Sequence, residues 1–187
     1  AYSQSTELAG GIIDLVKCFN TLPRGILQEL AAHIGLPPSV VIPWTNALRQ
    51  MARRFQVRGS VGKAIYSTCG YAEGCPLSVV AMAICNIAIE VYMYHRFPKV
   101  QVYSFVDNIE TLVRSTHEAI VAMEVLVEFC QLLDMQVDPS KSYMWSTTPQ
   151  GRKQITEAAQ NKSLFARDLG GHMNYSRLAT NSKIGRA

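Results

Sequence analysis

Near the middle of the chain an acidic residue breaks two β-prone runs. Val100 to Val106 is apolar apart from Gln101 and Ser104, Asp107-Asn108 follow, and Ile109 to Val113 is β-prone again. Two such runs around a two-residue break predict a hairpin with Asp107 and Asn108 at its apex. A hairpin requires antiparallel pairing, so the chain must build an antiparallel sheet. A carboxylate fixed at a hairpin tip is placed to hold a divalent cation. Mg²⁺ is usually held by one or two carboxylates plus substrate phosphates. Asp14, closing the run Gly10-Gly11-Ile12-Ile13-Asp14, is the candidate second carboxylate. The plain rivals are a type I′ turn at Asp107-Asn108 and a strand-end cap at Asp14.

The rest of the chain supplies helices to back that sheet. Ile12 to Val16 is a short β-prone run. After Pro23, Arg24 to Ile34 carries a helical apolar stripe of Ile26, Leu27, Leu30, Ala31 and Ile34, closed by Gly35 and Pro37-Pro38. Ser39 to Ala52 reads as a second helix, with Pro43 in its early turns. Arg53 to Arg58 and Lys63 to Cys69 read as a hairpin around Gly59-Ser60-Val61-Gly62. Its cations, Arg53, Arg54, Arg58 and Lys63, fit a phosphate-facing surface or a charged, solvated edge. Gly70 and Gly74 bracket a turn before Pro76, and Val79 to Tyr94 is apolar almost all round, which predicts a helix at the centre of the fold. His117 to Leu133 is amphipathic, with Ile120, Met123, Val127, Cys130 and Leu133 on one face. Met135 to Val137 and Tyr143 to Trp145 read as short extended pieces, Gly151 to Ala159 as a polar surface helix, and Leu164 to Tyr175 as holding another extended element. Strands and helices interleave while the hairpins demand antiparallel pairing, so the predicted class is α+β, an antiparallel sheet backed by helices.

Composition narrows the class. At 187 residues the chain suits one domain. A hydrophobic fraction of 48% with 17% charged residues excludes a disordered chain. A net charge of +4 permits a polyanionic partner without requiring one. Five cysteines with no C-x-x-C spacing give neither a zinc site nor a disulfide framework, and predict reduced thiols in an intracellular, nuclear or cytoplasmic setting. Leu77 to Met93 contains Asn86 and Glu90 and is short for a membrane span.

Five stretches, in order, resemble the palm of a reverse transcriptase of the non-LTR retrotransposon and group II intron type, with its ferredoxin/RRM-like sheet. Ile13 to Arg24 looks like the first catalytic motif. Gly70-Tyr71-Ala72-Glu73-Gly74-Cys75-Pro76-Leu77-Ser78 is similar to the family's Gly-x-x-Gln-Gly-x-Pro-Leu-Ser. Phe105-Val106-Asp107-Asn108 stands where the family has aromatic-x-Asp-Asp. Leu133 to Ser142 resembles the lysine motif, and Asp168-Leu169-Gly170-Gly171 the primer grip. The resemblance covers about residues 10 to 175. It implies palm residues over 1–175, a polar tail or the start of a thumb over 176–187, and fingers and thumb largely missing.

The resemblance also implies RNA-directed DNA synthesis with two Mg²⁺ or Mn²⁺ ions, an RNA template, a DNA primer and dNTPs. Asp14 and Asp107 are then the metal ligands, with Asn108 and Lys141 completing the catalytic set. Phe19 would exclude a 2′-hydroxyl. Glu73, Gly74 and Pro76 would lie against nucleotide and template, and Leu169, Gly170 and Gly171 would support the primer. Phe19 also reads as core, and Lys141 as a solvated loop residue. Two departures stand out: Asn108 replaces the second Asp, and Glu73 replaces Gln, bringing a carboxylate toward the triphosphate. A second reading is therefore a non-catalytic palm kept as a structural or interaction subunit of an assembly. An RNA-recognition module would need paired aromatics exposed on the sheet, and the sequence alone identifies none.

Overall fold

The structure, a computed structural model, describes residues 7–162. Strand β1 (Ala9–Asp14) leads through the short helix α1 (Cys18–Thr21) to α2 (Arg24–His33) and α3 (Pro38–Gln50). Four two-residue strands follow: β2 (Ala52–Arg53), β3 (Gln56–Val57), β4 (Ser60–Val61) and β5 (Ile65–Tyr66). Next come α4 (Pro76–Arg96), β6 (Gln101–Phe105), β7 (Asn108–Val113), α5 (Thr116–Leu132), β8 (Tyr143–Ser146) and α6 (Pro149–Lys162). The main sheet is antiparallel throughout, in the order β6-β7-β1-β8, and helices α4 and α5 pack against it. This is the α+β arrangement expected from the interleaved pattern.

Register is set by the face that meets the helices. Ile13 and Ile109 are cross-strand partners and both are fully buried. Each contributes about 1.5–3 kcal/mol through burial, and a one-residue slip would expose both. Gly10 and Gly11 permit close packing at the centre of β1. A Cβ on Gly10 would fall 1.9 Å from the Thr111 carbonyl oxygen, and one on Gly11 would meet the Met123 side chain at 2.6 Å.

Two features differ from the sequence expectation. The turn between β6 and β7 is Val106-Asp107, not Asp107-Asn108, because Phe105 pairs with Asn108 and Asn108 already belongs to β7. Val106 has φ +56°, a left-handed conformation that costs a β-branched residue of order 1–3 kcal/mol. Helix α4 is the second difference. Ala81, Met82, Cys85, Ile89 and Met93 are buried in the core, while Val79, Ile87, Val91 and Tyr94 are exposed. Its length and apolarity would suffice to cross a membrane, yet its buried face makes it a core helix with one bare side.

The basic hairpin forms, in two pieces. β2 pairs with β5 and β3 with β4. Arg58 and Gly59, both at positive φ, make the two-residue turn, as a type I′ connection requires. Helix α3 runs through Pro43. The residues 163–175 with their expected extended element, and the proposed tail, lie outside the described residues.

Burial pushes the thiols of Cys18, Cys85 and Cys130 and the Tyr71 hydroxyl up to about 12. The folded state then keeps protons that unfolded thiols lose near their ordinary value of 9.0. This contribution to stability is complete below pH 9 and is lost as pH rises toward 12. Melting temperature should therefore fall progressively across that window, and C130A should make the fall shallower. A melting temperature flat to pH 12 would contradict it.

Candidate active site

Asp14 ends β1 opposite Asn108 at the start of β7. Cross-strand partners point to the same face of a sheet, so the Asp14 and Asn108 side chains share one. Asp107 is the next residue back, in the turn. Burial pushes the Cys18 thiol up most, Cys85 next, and the charges of Asp107 and Asp14 add in the same direction.

Asp14 is held on every side. Its backbone N–H donates to Ser142 Oγ at 3.0 Å, and its carbonyl accepts from the Asp138 N–H at 2.8 Å. Asp138 organises the turn that follows. Its Oδ1 accepts from the Ser140 N–H at 2.8 Å and from Ser140 Oγ at 2.6 Å, which holds its carboxyl below the usual range. That turn carries Lys141 to the site, with Nζ 3.4 Å from Asp14 Oδ1 and 3.9 Å from Asp138 Oδ2.

The glycine-bracketed turn meets the same region from α1. Gly70 N–H donates to the Leu22 carbonyl and Tyr71 N–H to the Phe19 carbonyl. Gly70 has φ +76°, and a Cβ there would lie 2.3 Å from the Asn20 carbonyl oxygen, so only glycine allows the approach. Glu73 is exposed, and Asn20 Nδ2 donates to its Oε1 at 2.6 Å. Gly74 also has positive φ, and Pro76 opens α4. Phe19 is half-buried against the core.

Two residues absent from the sequence reading of the site hold it together. Arg24 is buried. Its Nε donates to the Gly70 carbonyl at 2.6 Å, and its Nη1 to those of Leu48 at 2.9 Å and Ser67 at 2.6 Å. It ties the glycine turn to α2 and α3, and no local pattern announces a cation that serves three carbonyls. Asn86, inside an apolar helix, donates from Nδ2 to the Val106 carbonyl at 3.0 Å. A polar residue in such a run is the one signal that could have flagged it.

Beside Asn108 on the outer sheet face stands Phe105. The next row holds Tyr103, Glu110, Ile12 and Tyr143. Phe105 and Tyr103 are exposed, so the sheet does present aromatics that the sequence alone did not reveal. Arg54, Arg58 and Lys63 are exposed on the basic hairpin and Arg53 is half-buried there. Leu169, Gly170 and Gly171 lie outside the described residues.

A family model described as "Reverse transcriptase (RNA-dependent DNA polymerase)" matches residues 4–164. The chain belongs to the reverse transcriptase family. Among solved structures, it resembles telomerase from Candida tropicalis in complex with the TWJ fragment of telomeric RNA. That match has a TM-score of 0.64 and 11% identity, and covers 79% of this chain and 27% of that one. Apo telomerase from Candida tropicalis, truncated from its C-terminal domain, matches with a TM-score of 0.59 and 13% identity, covering 78% of this chain and 32% of that one. At these identities the likeness is one of fold. This reverse transcriptase chain spans about a third or less of those proteins. A search of curated proteins finds no match.

Reverse transcriptases are in general divalent-metal polymerases, and the donor set fits such an ion. Among the described residues no cluster of three His, Cys, Asp or Glu forms a closed cage. Asp14, Asp107 and the Asn108 amide are the oxygen donors that would hold such an ion, and so few would leave positions for substrate phosphates, as Mg²⁺ prefers. The Lys141 ammonium already sits beside Asp14 Oδ1 as a cation. If Asn108 faces that position, N108D should tighten Mn²⁺ binding about tenfold by calorimetry, since ligand charge count tunes oxygen-ligand sites. Unchanged affinity would place its side chain outside the coordination sphere.

Proposed function

We propose that this reverse transcriptase chain performs templated nucleotidyl transfer, DNA synthesis on an RNA template, as part of a longer retroelement protein. The observation that carries the reading is the register of β1 against β7, which sets Asp14 opposite Asn108, the residue that follows Asp107. In this reading Asp14 and Asp107 hold two Mg²⁺ or Mn²⁺ ions, with the Asn108 amide oxygen as a neutral neighbour. Bound divalent ions supply activation of an attacking oxygen and neutralisation of the leaving phosphates.

The protein's own groups do the rest. Lys141, on a turn hydrogen-bonded to Asp14, offers a mobile positive charge to a leaving pyrophosphate. Glu73 would repel a triphosphate if it swung free; its bond from Asn20 Nδ2 holds it against α1. Phe19, packed beside Cys18, borders the incoming sugar, and Gly74 and Pro76 line the approach of nucleotide and template. The cations Arg53, Arg54, Arg58 and Lys63 contact phosphates in a salt-dependent manner. Leu169 to Gly171 support the primer end.

One observation favours the second reading, a palm retained as an interaction subunit. The bare apolar side of α4, with Val79, Ile87, Val91 and Tyr94 exposed, is a surface that another protein could cover.

Primer extension on an RNA template with a DNA primer separates the two. The longer protein that carries this chain should extend the primer with Mg²⁺ or Mn²⁺. D14A and D107A should each reduce the rate by more than about 100-fold, beyond the range for loss of an outer-shell partner. Extension that survives both substitutions would refute the assignment. No extension by the unaltered longer protein with either ion would favour the interaction subunit.

A further inference from the structure

We propose that Asn86 is a positioning residue for Asp107, acting through the strained turn between β6 and β7. Val106, the residue before Asp107, sits at φ +56°, a region that suits glycine and disfavours valine. Asn86 Nδ2 donates to the Val106 carbonyl at 3.0 Å. A cavity of about 280 Å³ borders this contact, lined by Val79, Asn86, Ile87, Phe105 and Val106 among others. On that side the turn faces an open pocket, and the hydrogen bond from Asn86 anchors it.

Asn86 is placed for this task at a cost to itself. It is 6% exposed, on the core face of an apolar helix, and its Oδ1 is buried without a hydrogen-bond partner. A side chain selected for packing alone would be apolar here, because an unsatisfied buried oxygen destabilises a fold. With Nδ2 aimed at Val106, the orientation of the amide is fixed. The peptide that it grips leads directly into Asp107, and one residue further on the chain is locked opposite Asp14. Helix α4 also begins at the glycine turn near α1. One rigid element therefore supports both the turn that bears Glu73 and the turn that bears Asp107.

The consequence for metal binding rests on the nucleotidyl-transfer reading; the conformational claim does not. The test uses the full chain and the substitutions N86L, V106G and the two combined. N86L keeps the branched shape and removes the donor. Glycine at 106 adopts positive φ without strain, so it makes the amide dispensable. Amide hydrogen exchange at residues 105–108 should quicken about tenfold in N86L, the factor for one lost hydrogen bond. Exchange in β1 and α5 should stay unchanged. In the double variant the tip should return to the rate of V106G alone, a non-additivity that a merely structural role would not give. Unchanged exchange at the tip in N86L, uniform loosening of the whole sheet, or no rescue by V106G would each overturn the proposal.

Mn²⁺ affinity, read by calorimetry on the same proteins, should fall about tenfold in N86L, the scale for loss of an outer-shell partner, and recover in the double variant. A tip loosened in N86L with unaltered Mn²⁺ affinity would refute the link from Asn86 to the metal. No Mn²⁺ uptake by the unaltered chain would refute the nucleotidyl-transfer reading instead, and the exchange result would still decide the role of Asn86.

Discussion

The pairing register of β1 and β7 is the constraint on which everything else depends. A slip of one residue would move Ile13 and Ile109 out of the core and turn Asp14 to the opposite face. The glycines at 10 and 11 make the register tight, since the Thr111 carbonyl and the Met123 side chain occupy the space that larger residues would need. Packing that stabilises the sheet and geometry that builds the acidic site are therefore one arrangement. The strand ends hold Asp14 and Asn108 in register because the strand centres cannot shift.

Around that sheet, three turns are each tied to a neighbouring strand or helix by hydrogen bonds. The 138–142 turn grips the backbone of Asp14 from both sides. The glycine turn is stapled to α1 and clamped from below by Arg24. The β6–β7 turn is held from behind by Asn86. Among the described residues Arg24 meets no carboxylate and satisfies backbone carbonyls instead. Burial lowers its pKa, most strongly by desolvation, and one of its nitrogens is unpartnered. Such residues are tolerated where a loop must be fixed to a scaffold, at some expense of stability.

Much of this was legible in the residues, and the misses have physical causes. The helices were readable from apolar period and from proline and glycine at their ends, and Asp14 and Asp107 from acidic residues closing apolar runs. The tip of the hairpin was misplaced by one residue because asparagine is a common turn former and valine a rare one. Tertiary pairing with β1 and the grip of Asn86 override that local preference. Helix α4 read as fully central because its composition is apolar all round, but composition does not say how many faces find partners. The Asn20–Glu73 contact, which answers the question of where the extra carboxylate goes, joins residues that no local pattern links. The roles of Arg24 and Asn86 are tertiary in the same sense.

The convergence of Asp14 and Asp107 is most directly tested by anomalous diffraction from crystals of this chain grown or soaked with Mn²⁺. The account predicts a peak bonded to oxygens of both carboxylates at roughly 2.0–2.2 Å, close to the distance for small divalent ions, with the Lys141 ammonium displaced from Asp14. A peak on one carboxylate alone, or the two side chains directed to opposite faces of the sheet, would contradict it.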